Sequence, residues 1–153
     1  MSRRYGEAVN PAMRYTHRPG AYAILARGAS VLLTYQAGNH HEFQLPGGGI
    51  DVAEQPIQAL HREVREETGW RIARPRKLGT FRRFAYMPEY DLWAEKVAHI
   101  YVAFPVRRLT EPSETEHTAV WVPVSEAAAL LANPGDAAFM ARYAAGSVFV
   151  ADM

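Results

Sequence analysis

Between positions 62 and 67 the chain reads Arg-Glu-Val-Arg-Glu-Glu, three carboxylates within five residues. On a helix advancing about 100° per residue, with Ile57 at 0°, Glu66, Glu63 and Glu67 fall at about 180°, 240° and 280°. Leu60 and Val64 fall at about 300° and about 340°, extending an apolar stripe from Ile57. Arg62 and Arg65 fall at about 140° and about 80°. The three carboxylates thus share one flank and the arginines take the other. A solvated face carrying ion pairs would account for such a helix. Against it, Glu63 and Glu67 are like charges four apart, which costs about 0.2–0.5 kcal/mol with no partner on that flank. A hard divalent cation reverses the sign, because Mg²⁺ favours carboxylate oxygens together with substrate phosphate oxygens.

Just upstream stands Leu45-Pro46-Gly47-Gly48-Gly49-Ile50. Three consecutive glycines disfavour regular structure, so the segment is either a slack turn or a place where backbone approaches something closely. Its carbonyls and amides could reach a metal or a diphosphate. It fits neither common nucleotide loop: no Lys-Ser/Thr follows, and no third glycine completes Gly-x-Gly-x-x-Gly.

The elements that must position these groups follow from local signals. A helix over 55–68 has Pro56 in its first turn and Gly69 just past its end. Ala21–Ala26 and Ser30–Tyr35 read as a hairpin turning at Arg27-Gly28-Ala29, and Glu42–Leu45 as a short strand. Arg71–Phe84 and Lys96–Val106 read as long strands with Met87–Leu92 turning between them. Ala119–Val124 is a further strand, Ser125 caps a helix to about Leu131, and Asp136 caps another to about Ala144. Strands outnumber helices without regular alternation, so the reading is α+β, a mixed sheet with helices packed on it.

Composition sets the bounds. The 153 residues suit one domain, and 48% apolar residues suffice for a core. Seventeen basic against sixteen acidic residues leave a net charge of +1, which selects no partner. The absence of cysteine excludes disulfides, a thiolate nucleophile and Cys-ligated metals. No apolar run approaches a membrane span and no signal peptide is visible, so we expect a cytoplasmic protein with no membrane partner. Residues 1–18, with Arg3, Arg4, Arg14 and Arg18 opposed only by Glu7, read as a loose N-terminal arm ahead of a domain over 19–150.

Taken together, Gly48, five residues, Glu54, seven residues, then Arg62-Glu63-Val64-Arg65-Glu66-Glu67-Thr68-Gly69-Trp70 resembles the complete Nudix box of the MutT-like hydrolases. Asp51 and Ala53 replace a frequent glutamate and a frequent glycine, neither at a defining position. The resemblance implies an α/β/α sandwich with a mixed β-sheet as a single domain. It also implies hydrolysis of a nucleoside diphosphate linked to another moiety, with water as nucleophile and Mg²⁺ or Mn²⁺ as cofactor. Carried over by position, Glu63, Glu66, Glu67 and the Gly47 carbonyl resemble metal ligands. Glu54 resembles the carboxylate that helps position metal-bound water, and Arg62 the partner that orients the glutamates. The general base stays open between Glu66, Glu67 and a glutamate outside the box, for which Glu114 and Glu116 stand in a comparable place.

The substrate is less legible. Six basic residues and no acidic one lie between Trp70 and Glu89 (Arg71, Arg74, Arg76, Lys77, Arg82, Arg83), either to hold phosphates or an RNA end or to protect a strand edge. Phe81, Phe84, Tyr86, Tyr90, Trp93 and Tyr101 divide between core and base stacking. Tyr86 stands where dinucleoside polyphosphate hydrolases of the family tend to carry tyrosine, and Pro88 near where the ADP-ribose branch favours proline. Leu32-Leu33-Thr34 resembles only the start of the coenzyme A signature, and the isopentenyl isomerase branch needs a cysteine. His40-His41-Glu42 reads as a polar hairpin loop rather than a zinc site. His61 reads as packing, and Trp121 and 127–132 read as core. The expectation is a Mg²⁺-dependent pyrophosphohydrolase of a small nucleotide, monomeric or homodimeric. The alternatives are action on an RNA 5′ end and, from a different class, a non-catalytic Nudix-like nucleotide-binding domain.

Overall fold

The computed structural model describes residues 2–37, 41–113 and 116–146. Eight strands form one mixed sheet: β1 (Arg3–Gly6), β2 (Thr16–Arg27), β3 (Ser30–Gln36), β4 (Glu42–Gln44), β5 (Gly47–Gly49), β6 (Trp70–Met87), β7 (Leu92–Arg108) and β8 (His117–Pro123). The path through the sheet is β1-β6-β7-β2-β3-β4, with β5 beside β2 and β8 beside β3. β1 runs parallel to β6 and β2 parallel to β7, while the other pairs are antiparallel. The helices are α1 (Pro56–Thr68), α2 (Val124–Leu130) and α3 (Pro134–Ala144).

Period-two alternation along the central strands loads both faces of the sheet. On β2, Ala21, Ala23 and Leu25 point to one side and pack with Leu32, Tyr101, Ala103 and the α1 residues Ala59, Leu60 and Val64. Ile24, with Val31, Leu33, Ile100 and Phe81, points to the other and meets Ala127 and Leu131, along with Phe139 and Met140 of α3. The result is the expected three-layer sandwich, with α1 on one face and α2 and α3 on the other.

Several local expectations change. Residues 3–6 of the arm form an edge strand, because β6 presents an open parallel edge from Phe81 to Phe84 and Tyr5 packs edge-on against Phe81. The three glycines are no slack turn: they pair with Gly20–Tyr22 as β5. On α1, Ile57 is 44% exposed in the first turn, and the buried side is carried by Ala59, Leu60 and Val64 together with Glu67 and Thr68. His61 is exposed rather than packed. Neither Ser125 nor Asp136 caps a helix. α2 starts at Val124 after Pro123, and Asn133 caps α3 by accepting from the Gly135 and Asp136 amides ahead of Pro134. Trp121 and Leu130 remain 36% and 39% exposed rather than core, and of 127–132 only Ala127 and Leu131 are buried, since the short α2 turns one side to the sheet.

Candidate functional site

The site grows from the β5–α1 unit. Gly47 has φ 144°, and a Cβ there would lie 2.1 Å from the Ala21 carbonyl. A Cβ on Gly48 would lie 2.3 Å from a carboxylate oxygen of Glu63. The glycines therefore let β5 press between β2 and α1, leaving backbone in direct contact with helix carboxylates. α1 is held in place by Pro56 at its start, by the Gln55 amide donating to Gln58 at 2.9 Å, and by Gly69 closing its end at φ 78°.

Arg62 gathers the acidic flank. Its Nε and Nη2 donate to the two Glu54 oxygens at 2.8 and 2.9 Å, its Nη1 to Glu63 at 2.8 Å and to Glu66 at 3.3 Å, and its Nη2 to the Gly49 carbonyl at 2.9 Å. Asp51 stands 3.5 Å away. The helical wheel put Arg62 on the opposite flank with the glutamates unpartnered. Its side chain instead folds across Glu66, only about 40° from it on the wheel. That fork holds the Glu54 carboxyl down at about 2 and pushes the guanidinium up.

Glu67 is separate and buried. The Gly47 amide donates to its Oε1 at 2.8 Å, and His117 Nδ1 lies 3.1 Å from its Oε2. Being beside Leu60 on the wheel, it goes inward with the apolar stripe. The structure thus brings Glu54, Arg62, Glu63 and Glu66 into one cluster against Gly48 and Gly49, with Glu67 against Gly47. Glu116 is exposed, and its carbonyl accepts from the Ala37 amide. Glu114 and His40 lie outside the described residues.

Gly47 and Gly48 of β5, with Glu116 and His117, line a cavity of about 640 Å³. Tyr22, Phe81, Asn133 and Asp136 line it too, as do Arg18, Arg83, Lys96, Tyr86 and Glu89. Burial, with Asp136, Glu67 and Glu63 nearby, pushes the Tyr22 hydroxyl up. Burial likewise raises the Asp136 carboxyl to about 7, against a hydrogen bond donated by the Leu45 backbone amide and the field of Arg83. Of the basic run, Arg83 alone lines the cavity. Arg71, Arg74, Arg76 and Lys77 lie on the first half of β6, away from it, and Arg82 pairs with Glu95 at 3.4 Å. Of the aromatics, Phe81, Phe84 and Tyr101 are core, while Tyr86 and Tyr90 are exposed. Sequence reasoning missed Tyr22, His117, Asp136 and Lys96, which lie outside the box: Tyr22, His117 and Lys96 enter the site through sheet pairing, and Asp136 through the packing of α3 on the sheet.

The donor set suits a hard cation. Among the described residues no three carboxylate or imidazole groups already converge as a closed cage. Mg²⁺ rarely uses one, taking one or two carboxylates plus substrate oxygens, and carboxylates packed onto glycine backbone offer that kind of open oxygen surface.

The comparisons with known proteins bear on family and fold. The NUDIX domain family model matches residues 16–143. The CMP-5′-(N-acetyl-N-hydroxy-3-aminopropyl)phosphonate hydrolase of Streptomyces rubellomurinus is 33% identical over 129 residues, 76% of this chain and 57% of that protein. An RNA pyrophosphohydrolase of Acinetobacter baylyi is 44% identical over 52 residues, 34% of this chain and 31% of that one. The chain thus spans little more than half the length of these curated relatives at most. A MutT protein from Bacillus halodurans superposes with TM-score 0.70 at 20% identity, covering 83% of this chain and 82% of that structure, a likeness of fold. Among the described residues no helix is long and apolar enough to cross a membrane.

Proposed function

This chain belongs to the Nudix family, and from that premise we propose that it is a Mg²⁺- or Mn²⁺-dependent hydrolase of a small nucleotide in which a nucleoside diphosphate is linked to another moiety. The observation that carries this reading is the Arg62 fork, which draws Glu54, Glu63 and Glu66 together against the glycine strand, whose Gly47 and Gly48 in turn line a nucleotide-sized cavity. Glu63, Glu66, Glu67 and the Gly47 carbonyl would hold the cation, with Glu54 helping to place the attacking water. When bound, the cation neutralises phosphate oxygens and lowers the pKa of water. Glu66 or Glu67 takes the proton of the attacking water. The water oxygen bonds to phosphorus, the bridging P–O bond breaks, and a nucleoside monophosphate leaves with pyrophosphate or the phosphorylated remainder. Glu67, tied through both oxygens to Gly47 and His117, is the better-oriented of the two. The Streptomyces relative, named for a CMP-linked phosphonate, supports a nucleoside monophosphate joined to a second acidic group.

The RNA-end reading draws on the Acinetobacter relative and on the basic first half of β6. That half does not line the cavity, so a small nucleotide fits the geometry better. A non-catalytic binding domain would have no use for a full set of box carboxylates.

The test is a product-resolved assay over nucleoside triphosphates, ADP-ribose, dinucleoside polyphosphates and a triphosphorylated short RNA, with Mg²⁺ and after chelation. We expect one small nucleotide to be cleaved far faster than the rest, with loss on chelation. Glu66→Gln and Glu67→Gln should each lower kcat by about a hundredfold or more while the fold survives. Near-normal rates in both variants at saturating Mg²⁺ would overturn the assignment. Preferential cleavage of the RNA would favour the alternative substrate.

A further inference from the structure

Among the residues that line the cavity, Arg18 of β2 is in register with Lys96 of β7, and Lys96 is in register with Arg83 of β6. Directly opposed residues on neighbouring strands share a face, with Cβ atoms about 4.5–5.5 Å apart, and like charges so placed destabilise. The three cations form a row across three strands, all half-buried and all lining the same cavity.

The opposite face shows what the sheet does when such charges are structural. One residue along, Glu95 stands 3.7 Å from His17 and 3.4 Å from Arg82, answering both with one carboxylate. On the cavity face, among the described residues, no carboxylate comes within ion-pair reach of Arg18, Lys96 or Arg83. Glu42, Glu89, Glu116 and Asp136 also line the cavity, and burial holds Asp136 towards its neutral form. Lys96 is itself pushed below the ordinary lysine range by burial and then by Arg83, with Arg18 adding to the effect and Glu89 and Glu42 opposing it. The arginines are braced: Arg18 lies over the Tyr90 ring at 4.7 Å, and the Arg83 stem runs along Gly6, where a Cβ would sit 3.4 Å from its Cγ. Two guanidinium forks beside one ammonium match the oxygens of a phosphoryl group.

We propose that the Arg18–Lys96–Arg83 row is an anion site that holds a phosphoryl group of the substrate other than the one attacked at the glutamate cluster. This rests on the reading of the cavity as the nucleotide site and narrows the substrate class. Gly49 and Gly48, against which the glutamate cluster packs, pair with Gly20 and Ala21, two and three residues along β2 from Arg18, a backbone span of about 7–10 Å. A ligand reaching from the glutamate cluster to Arg18 is longer than a diphosphate. It is a nucleotide carrying a further phosphoryl group, either in a longer polyphosphate chain or on a second nucleoside unit.

The experiment measures inorganic tripolyphosphate binding by calorimetry in EDTA, where neither turnover nor a bound cation contributes. We expect the full chain to bind it, with affinity falling about tenfold or more in Lys96→Met and in Arg83→Gln. Arg82→Gln, on the other face, should leave it unchanged. Lys96→Met should also raise Tm without ligand, because it removes a half-buried like charge. Among substrates cleaved by the wild type, a KM increase in Lys96→Met confined to longer polyphosphates identifies the chain as the source. An increase confined to dinucleotides identifies the second nucleoside unit. Absence of tripolyphosphate binding, or equal binding in all three variants, would overturn the anion site while leaving the hydrolase reading standing. Loss of turnover in the glutamate variants does not alter this binding, so the two readings fail separately.

Discussion

At the scale of single residues, Arg62 does the most organising. One guanidinium serves three carboxylates and a backbone carbonyl, and a fork does this where a point charge would not. Arg62→Ala leaves Glu54, Glu63 and Glu66 facing one another. We expect a stability loss of about 1–3 kcal/mol in denaturant titrations, as for lost bonds between charged groups, and a large fall in kcat. Lys at position 62 should recover little of either. Added Mg²⁺ should raise Tm more in Arg62→Ala than in the wild type, because a cation would relieve the same repulsion. Equal Mg²⁺ responses would count against metal binding at this cluster.

At the scale of elements, β5 shows two glycines needed for different reasons. Gly47 is constrained by backbone: its φ is 144°, and the Ala21 carbonyl lies 2.1 Å from where a Cβ would sit, which leaves no room for relaxation. Gly48 is constrained by a side chain, the flexible end of Glu63. Gly47→Ala should therefore lower Tm markedly, with a cost of about 1–3 kcal/mol from strain before any unpairing of β5 from β2. Gly48→Ala should leave Tm nearly unchanged yet depress turnover by displacing the Glu63 carboxylate. Thermal melts and initial rates on the two variants check this; matching effects would mean the strand, rather than the carboxylate, is what both glycines serve.

At the scale of the whole molecule, a carboxyl lining the cavity links stability to pH. Asp136, at the start of α3 and 6% exposed, has its carboxyl raised from 3.8 to about 7 by burial. Between those values the folded state binds the proton that the unfolded chain releases. This contribution to stability is complete below about pH 4, declines as pH rises, and is gone above about pH 7. Asp136→Asn keeps the acceptor for the Leu45 amide and removes the charge. Tm measured from pH 5 to pH 8 should therefore fall less in Asp136→Asn than in the wild type. Parallel slopes would show that another group governs the trend.

The local pattern already determined most of the elements and the reactive strip. Helix periodicity, Pro56, Gly69 and the spacing from Gly48 to Trp70 depend on neighbours a few residues apart, and strand alternation depends on the neighbour two away. Those signals placed α1, the long strands and the glutamates. The wheel set Glu67 on the same flank as Glu63 and Glu66, and only the packing of α1 on the sheet turned it inward. What only the tertiary structure decided depends on pairings across long stretches of chain. Gly47 meets Glu67, and Glu67 meets His117, because β5 and β8 both reach the α1 side of the sheet. Arg3–Gly6 becomes a strand only because β6 has a free edge. Arg18 lies far from Arg83 and Lys96 along the chain, and no local signal carries that distance. Strand register alone sets them in one row, because it decides which side chains share a face and which face looks into the cavity.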